Sequence, residues 1–116
     1  MRINQALRKR QVQERINDIQ RSDKDILLNM FQAVLTKQLY SSDFGGYLYM
    51  PISAESNDIP YEYQQLMYDV FSRLGYDKTL KIGMDFVNYL INHEGWDVEK
   101  PYPEDGNIMI YFKGIE

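Results

Sequence analysis

The chain has no cysteine, one histidine and one tryptophan. Without cysteine there can be no disulfide scaffold, no thiolate zinc site and no cysteine nucleophile. A serine triad would have to bring the single imidazole, His93, to Ser41, Ser42, Ser53, Ser56 or Ser72, and no nucleophile-elbow spacing surrounds any of them. As a residue near a predicted helix end, His93 is read as a cation that complements the helix dipole. Metal chemistry finds no pattern either: His93 and Glu94 are adjacent rather than one helical turn apart, and no run of carboxylates follows a calcium-loop spacing. Asp43-Phe44-Gly45 matches a kinase tripeptide by letters alone, with no phosphate loop beside it. A non-enzymatic protein without a cofactor is therefore expected. Long apolar runs are missing too. None approaches the roughly 18 residues of a membrane-spanning helix, and Met1-Arg2-Ile3-Asn4-Gln5 lacks the apolar stretch of a secretory signal. The expectation is no membrane and a cytoplasmic location. There is no internal repeat and no low-complexity segment.

What is present fits one soluble domain: 116 residues, of which 44% are apolar and 26% charged. The charge is unevenly placed. Residues 1–40 carry eight bases against four acids, and residues 41–116 carry five bases against thirteen acids, so the head is +4 and the body −8. Such a split governs which macromolecules the chain can approach and at what salt. Tyrosine is abundant, with ten residues beside five phenylalanines. Many stand next to acids or in loops, where they offer stiff amphipathic contact area.

The spacing predicts a basic N-terminal helix over 1–21 and a compact α+β body over 22–116. Ile3, Leu7, Val12, Ile16 and Ile19 form a thin apolar seam on an otherwise polar helix. Ser22 followed by Asp25 has the form of a helix cap, after which Ile26, Leu27, Met30, Phe31, Val34, Leu35 and Leu39 trace a broad core face. Whether 3–39 is one bent rod or two helices stays open. Gly45-Gly46 ends that helix, and Tyr47-Leu48-Tyr49-Met50-Pro51-Ile52 has strand composition, with Pro51 marking a sheet edge or a strand end. Asp58 and Pro60 are read as the start of the next helix, whose core face is Tyr63, Leu66, Met67, Val70, Phe71 and Leu74. Gly75 closes it in the left-handed conformation. Asp77 caps a further helix running through Leu80, Ile82, Phe86, Val87, Leu90 and Ile91 to His93-Glu94-Gly95. Trp96-Asp97-Val98-Glu99 alternates, Asp105-Gly106 turns the chain, and Ile108–Phe112 returns as a strand. The fold class is thus α+β: a helix-rich single domain with a small antiparallel sheet, in the order α-α-β-α-α-β-β.

From residue 23 this order, with Leu74-Gly75-Tyr76-Asp77-Lys78-Thr79 leading into a helix that closes at Glu94-Gly95-Trp96, resembles a winged helix-turn-helix domain. The resemblance implies that 60–74 is the first helix of the motif, 77–93 the recognition helix and 101–107 the wing. It also implies a DNA-binding regulator, with Lys78, Lys81, Asn88 and Asn92 on the reading helix and Arg2, Arg8, Lys9, Arg10 and Arg15 as a basic arm on phosphates. The chain departs from that pattern where Asp77, Asp85 and Glu94 offset the lysines and where Glu104 and Asp105 fall in the wing. Gly83 inside the helix also costs about 1 kcal/mol against alanine.

The residues themselves support a different reading first: a small regulatory or inhibitor protein that occupies a surface on another protein. Aromatic anchors ringed by charge suit an interface, and Tyr47, Tyr49, Tyr61, Tyr76, Tyr102, Glu104 and Asp105 are the candidates. The competing account is that each of these tyrosines merely covers the core with its hydroxyl in water. Both readings allow a homodimer through Ile3, Leu7, Ile16 and Ile19. By analogy of gene type, compact charge-split proteins without catalytic constellations are often encoded by phages and mobile elements.

Overall fold

The structure, a computed structural model, describes residues 22–114. Helix α1 spans Asp23–Leu39, strand β1 Tyr47–Pro51, helix α2 Gln64–Leu74, helix α3 Tyr76–Glu94, and strands β2 and β3 Tyr102–Glu104 and Asn107–Tyr111. A one-turn 3-10 helix, Tyr61–Tyr63, leads into α2. The domain is α+β with an open antiparallel sheet in the order β1-β3-β2. The basic segment 1–21, including Arg2, Arg8, Lys9, Arg10 and Arg15 and the Ile3, Leu7, Ile16 and Ile19 seam, lies outside the described residues.

Helix α1 starts where the sequence places it. The Ser22 hydroxyl accepts from the Asp25 N–H at 3.2 Å, and the Asp25 carboxylate accepts from the Ser22 N–H at 3.5 Å, so two of the free donors of the first turn are satisfied. Ser22 itself is extended, so no helix runs unbroken through it. Arg73 at the end of α2 forks onto Asp23 at 2.8 and 2.9 Å and ties the two helices together.

Two expected caps are not the ones used. Asp58 starts no helix. Its N–H donates to the Ser56 hydroxyl, its carboxylate accepts from the Asn107 amide at 3.0 Å, and the helix begins after Pro60. Asp77 lies inside the first turn of α3, whose N-cap is Gly75. Gly75 is also the C-cap of α2, and its φ of 79° comes with a ψ of 163° rather than the left-handed helical value. That region is open essentially to glycine alone, and it lets one residue join the two helices. Leu66, expected in the core, is exposed.

The core lies between the helices and one face of the sheet. Leu48 and Met50 of β1 and Ile108 and Ile110 of β3 point inward against Leu27, Phe31, Met67, Val70, Phe86 and Leu90 of the helices. Phe31 and Phe86 stack at 6.2 Å. Gly83 explains itself here, since a Cβ on it would lie 2.6 Å from the Ile108 Cδ1 and 3.3 Å from the Met50 Cε. Its absence lets α3 press directly onto the sheet.

The hairpin differs from expectation in where its first strand falls. Trp96–Glu99 forms no regular strand, although Val98 bridges Phe112. Strand β2 is Tyr102–Glu104, with Pro103 at its centre. The last stretch turns at Asp105 and Gly106, both with positive φ, which suits the twist of a two-residue hairpin. Residues 101–107, expected as a wing, hold that strand and a tight turn. No helix among the described residues is long and apolar enough to cross a membrane.

Candidate functional site

Strand geometry assembles the candidate site. Side chains alternate between the two faces of a sheet, and residues directly opposite on neighbouring strands share a face. Since Leu48, Met50, Ile108 and Ile110 point into the core, their neighbours point out. Tyr47 of β1 lies opposite Tyr111 of β3, and Met109 of β3 lies between Tyr49 on one side and Tyr102 on the other. Four tyrosines and a methionine therefore cover the outer face. Tyr47 and Tyr111 rings are 5.7 Å apart, and Tyr102 reaches diagonally to stack on Tyr111 at 6.2 Å and 13°. Tyr47 and Tyr102 keep 46% and 42% of their surface exposed, far more than tyrosines whose rings are spent on a core.

The face has a polar lower border. Asn107 sits on the same side, buried, donating to the Asp58 carboxylate and accepting from the Ser56 hydroxyl at 2.8 Å. This pins the loop over 53–60 to the hairpin, aided by the Ile52 N–H donating to the Gly106 carbonyl at 2.9 Å. Burial, with the Asp58 carboxylate next and Tyr47 after it, raises the pKa of Tyr49. Tyr102 is pushed up to about 12, chiefly by hydrogen bonding with the Tyr111 phenol, with Glu104 and Glu99 adding smaller repulsions. Both phenols stay neutral at physiological pH, and so keep an O–H to donate.

Both edges of the described sheet are partly blocked to a further strand. The residues of β1 in phase with Leu48 and Met50 bond to β3, which turns the backbone groups of Tyr47, Tyr49 and Pro51 outward. The Gln38 side chain covers Tyr49: its amide donates to the Tyr49 carbonyl at 2.7 Å and its oxygen accepts the Tyr49 N–H at 3.0 Å. Pro51 has no N–H to leave open. On the far edge Pro103 interrupts β2 in the same way.

The expected residues thus divide. Tyr47, Tyr49 and Tyr102 come together on one face, with Glu104 at the end of β2 and Asp105 exposed at the turn beyond. Tyr61 stands in the 3-10 helix, and Tyr76 opens α3, where it lines a separate cleft with Phe71 and Thr79. Lys78, Lys81, Asn88 and Asn92 are all exposed on α3, which packs against the opposite face of the sheet. There Lys81 donates to Asp85 at 3.1 Å, and Asp77 matches the charge of Lys78. His93 stacks on Tyr89 at 4.9 Å in the last turn of that helix. Among the described residues no group of three or more His, Asp or Glu is placed to hold a metal ion.

Sequence reasoning missed Met109 and Tyr111. The signal was there: with Ile108 and Ile110 inward, period two places 109 and 111 with the tyrosines. It also missed the cleft beside Tyr47 and Tyr49, lined by Asp43, Phe44 and Gly45. No family model, no curated protein and no solved structure matches this chain.

Proposed function

We propose that this is a small non-enzymatic regulatory or inhibitor protein that binds another protein through the outer face of its sheet. The observation that carries the reading is the registered patch of Tyr47, Tyr49, Tyr102, Tyr111 and Met109 across three strands. Tyrosine loses little side-chain entropy on burial and joins an apolar ring to a polar tip, which is why it dominates the centres of interfaces. Residues 22–114 carry seven bases against fourteen acids, and that net −7 steers toward a basic partner. The test is co-purification from cell lysate of wild type, Tyr47→Ala/Tyr102→Ala and Tyr61→Ala/Tyr68→Ala. A partner lost only from the first variant supports the sheet face. One retained by both variants, or none retained by wild type, removes it.

A second reading, a winged-helix-like DNA-binding regulator with residues 1–21 as its arm, draws support from the order α-β-α-α-β-β and the strand order β1-β3-β2. Three features weigh against it. The turn between paired helices in such motifs usually has three or four residues, and here Gly75 alone joins α2 to α3. The place of the wing is a two-residue turn beside Glu104. The exposed side of α3 balances Lys78 and Lys81 with Asp77 and Asp85. Salt-sensitive binding to duplex DNA that collapses when Arg8, Lys9 and Arg10 are changed to Ala would favour this reading over the first.

A further inference from the structure

At the β1 side of the tyrosine face the chain leaves a cleft of about 280 Å³ between the end of α1 and the start of β1. That is just under the roughly 300–1,000 Å³ of small-molecule sites and leaves room for an extended side chain. Its walls are aromatic and braced. Phe44 meets Phe112 edge-on at 5.9 Å, and Tyr47 leans on Tyr111 at 5.7 Å. Two of its polar side chains are committed already. The Gln38 amide is held by the backbone of β1, and the Ser41 hydroxyl accepts the Asp43 N–H at 3.1 Å. Asp43 lines the cleft too and is exposed, and no described cation pairs with its carboxylate.

Resting on the reading of the sheet face as a protein-binding surface, we propose that this cleft receives an arginine side chain of the partner protein. A carboxylate beside aromatic rings is the complement of a guanidinium, whose plane stacks on a ring while its fork bonds to the two oxygens. Lysine offers a point charge that keeps its water and gains less from the rings. Among the described residues no lysine or arginine lines the cleft to compete, and the net charge of −7 on residues 22–114 draws a basic segment toward it.

The experiment is fluorescence anisotropy of the full chain with two labelled probe peptides, one with three arginines spaced by glycine and serine and one with lysines in their place. The arginine probe should bind about 2–5-fold more tightly, the range an exposed cation–π contact supplies. Asp43→Asn, which leaves the backbone bond to Ser41 in place, should weaken the arginine probe about fivefold or more, whereas Asp69→Asn, an equal loss of charge on α2, should change it less than about twofold. Gly45→Leu, at a position where a Cβ has 3.6 Å to its nearest neighbour, should obstruct the cleft and reproduce the loss. Equal binding of both probes overturns the proposal, as does an equal effect of the two aspartate changes. Loss of binding in Tyr102→Ala with Asp43→Asn unaffected removes the cleft and leaves the sheet face standing; indifference to both removes both. Binding that appears only after Arg8, Lys9 and Arg10 are changed to Ala would give the cleft to the chain's own basic segment and overturn the partner arginine.

Discussion

Replacing Gly83 by alanine tests how closely α3 approaches the sheet. On helix propensity alone the change should stabilise the protein by about 1 kcal/mol, because glycine is the costlier residue in a helix interior. The structure reverses that sign. The new Cβ would stand 2.6 Å from the Ile108 Cδ1, 3.3 Å from the Met50 Cε and 3.4 Å from the Ile52 Cγ2. A terminal methyl can often swing aside, but Ile108 and Met50 are both at 0% exposure and Ile52 at 1%, so the space they would need is filled. Forcing a methyl into a packed core costs about 1–3 kcal/mol, which leaves a net loss of about 1 kcal/mol after the propensity gain. In a domain of this size that lowers the melting temperature by roughly 4–8 °C. Denaturant unfolding of a double-mutant cycle with Ile108→Val isolates the cause, since valine lacks the Cδ1. In the Ile108→Val background the alanine should become neutral or stabilising, giving a coupling of about 1 kcal/mol or more. A Gly83→Ala protein more stable than wild type, or a cycle without coupling, would refute the close approach.

Gly75→Ala should also destabilise, by about 1–3 kcal/mol, but through backbone strain alone, because nothing lies within 4 Å of the added Cβ. Its loss should therefore survive every truncation of neighbouring side chains, as followed by urea unfolding. In an alkaline titration followed at 295 nm, Tyr102 should ionise near 12, and Tyr111→Phe should bring it back toward the ordinary value of 10. Because its pKa is raised, whatever Tyr102 adds to stability is complete below about pH 10 and lost as the pH passes through about 12; an unchanged titration in Tyr111→Phe would sink this assignment. Gln38→Ala should cost about 1–2 kcal/mol for the two backbone bonds it frees, and light scattering should show association that rises with protein concentration. A variant that stays monodisperse and as stable as wild type would contradict the role given to that amide.

Periodic signals were the legible part of this fold. The apolar faces of three helices, the Ser22 cap and the Asp105-Gly106 turn each write a local rule into a few neighbouring residues, and the structure follows them. Asp58 and Asp77 misled because a side chain that can cap a helix can as well bond a loop or sit within a first turn, and tertiary partners such as Asn107 decide which. The placement of β2 was illegible for a related reason. Pro101 and Pro103 argue for a loop unless the strand is known to be an edge, and edge position is a property of the whole sheet. The site was half visible. Tyrosine content pointed to a surface, but separating Tyr47, Tyr49 and Tyr102 from Tyr61 and Tyr76 required strand register, a relation between residues up to sixty-four positions apart, as Tyr47 and Tyr111 are.

The amide of Gln38 has a consequence beyond the bonds it makes. One side chain of α1 takes the place of a neighbouring strand at Tyr49, so the described sheet ends there at three strands without a barrel or a longer chain. A finished sheet is a safe place to change sequence. Substitutions at 47, 49, 102, 109 and 111 change the chemistry of the outer surface while the backbone pairing at its borders stays where it was. The domain is in that sense a small tile, with grouted borders and one face open to new lettering.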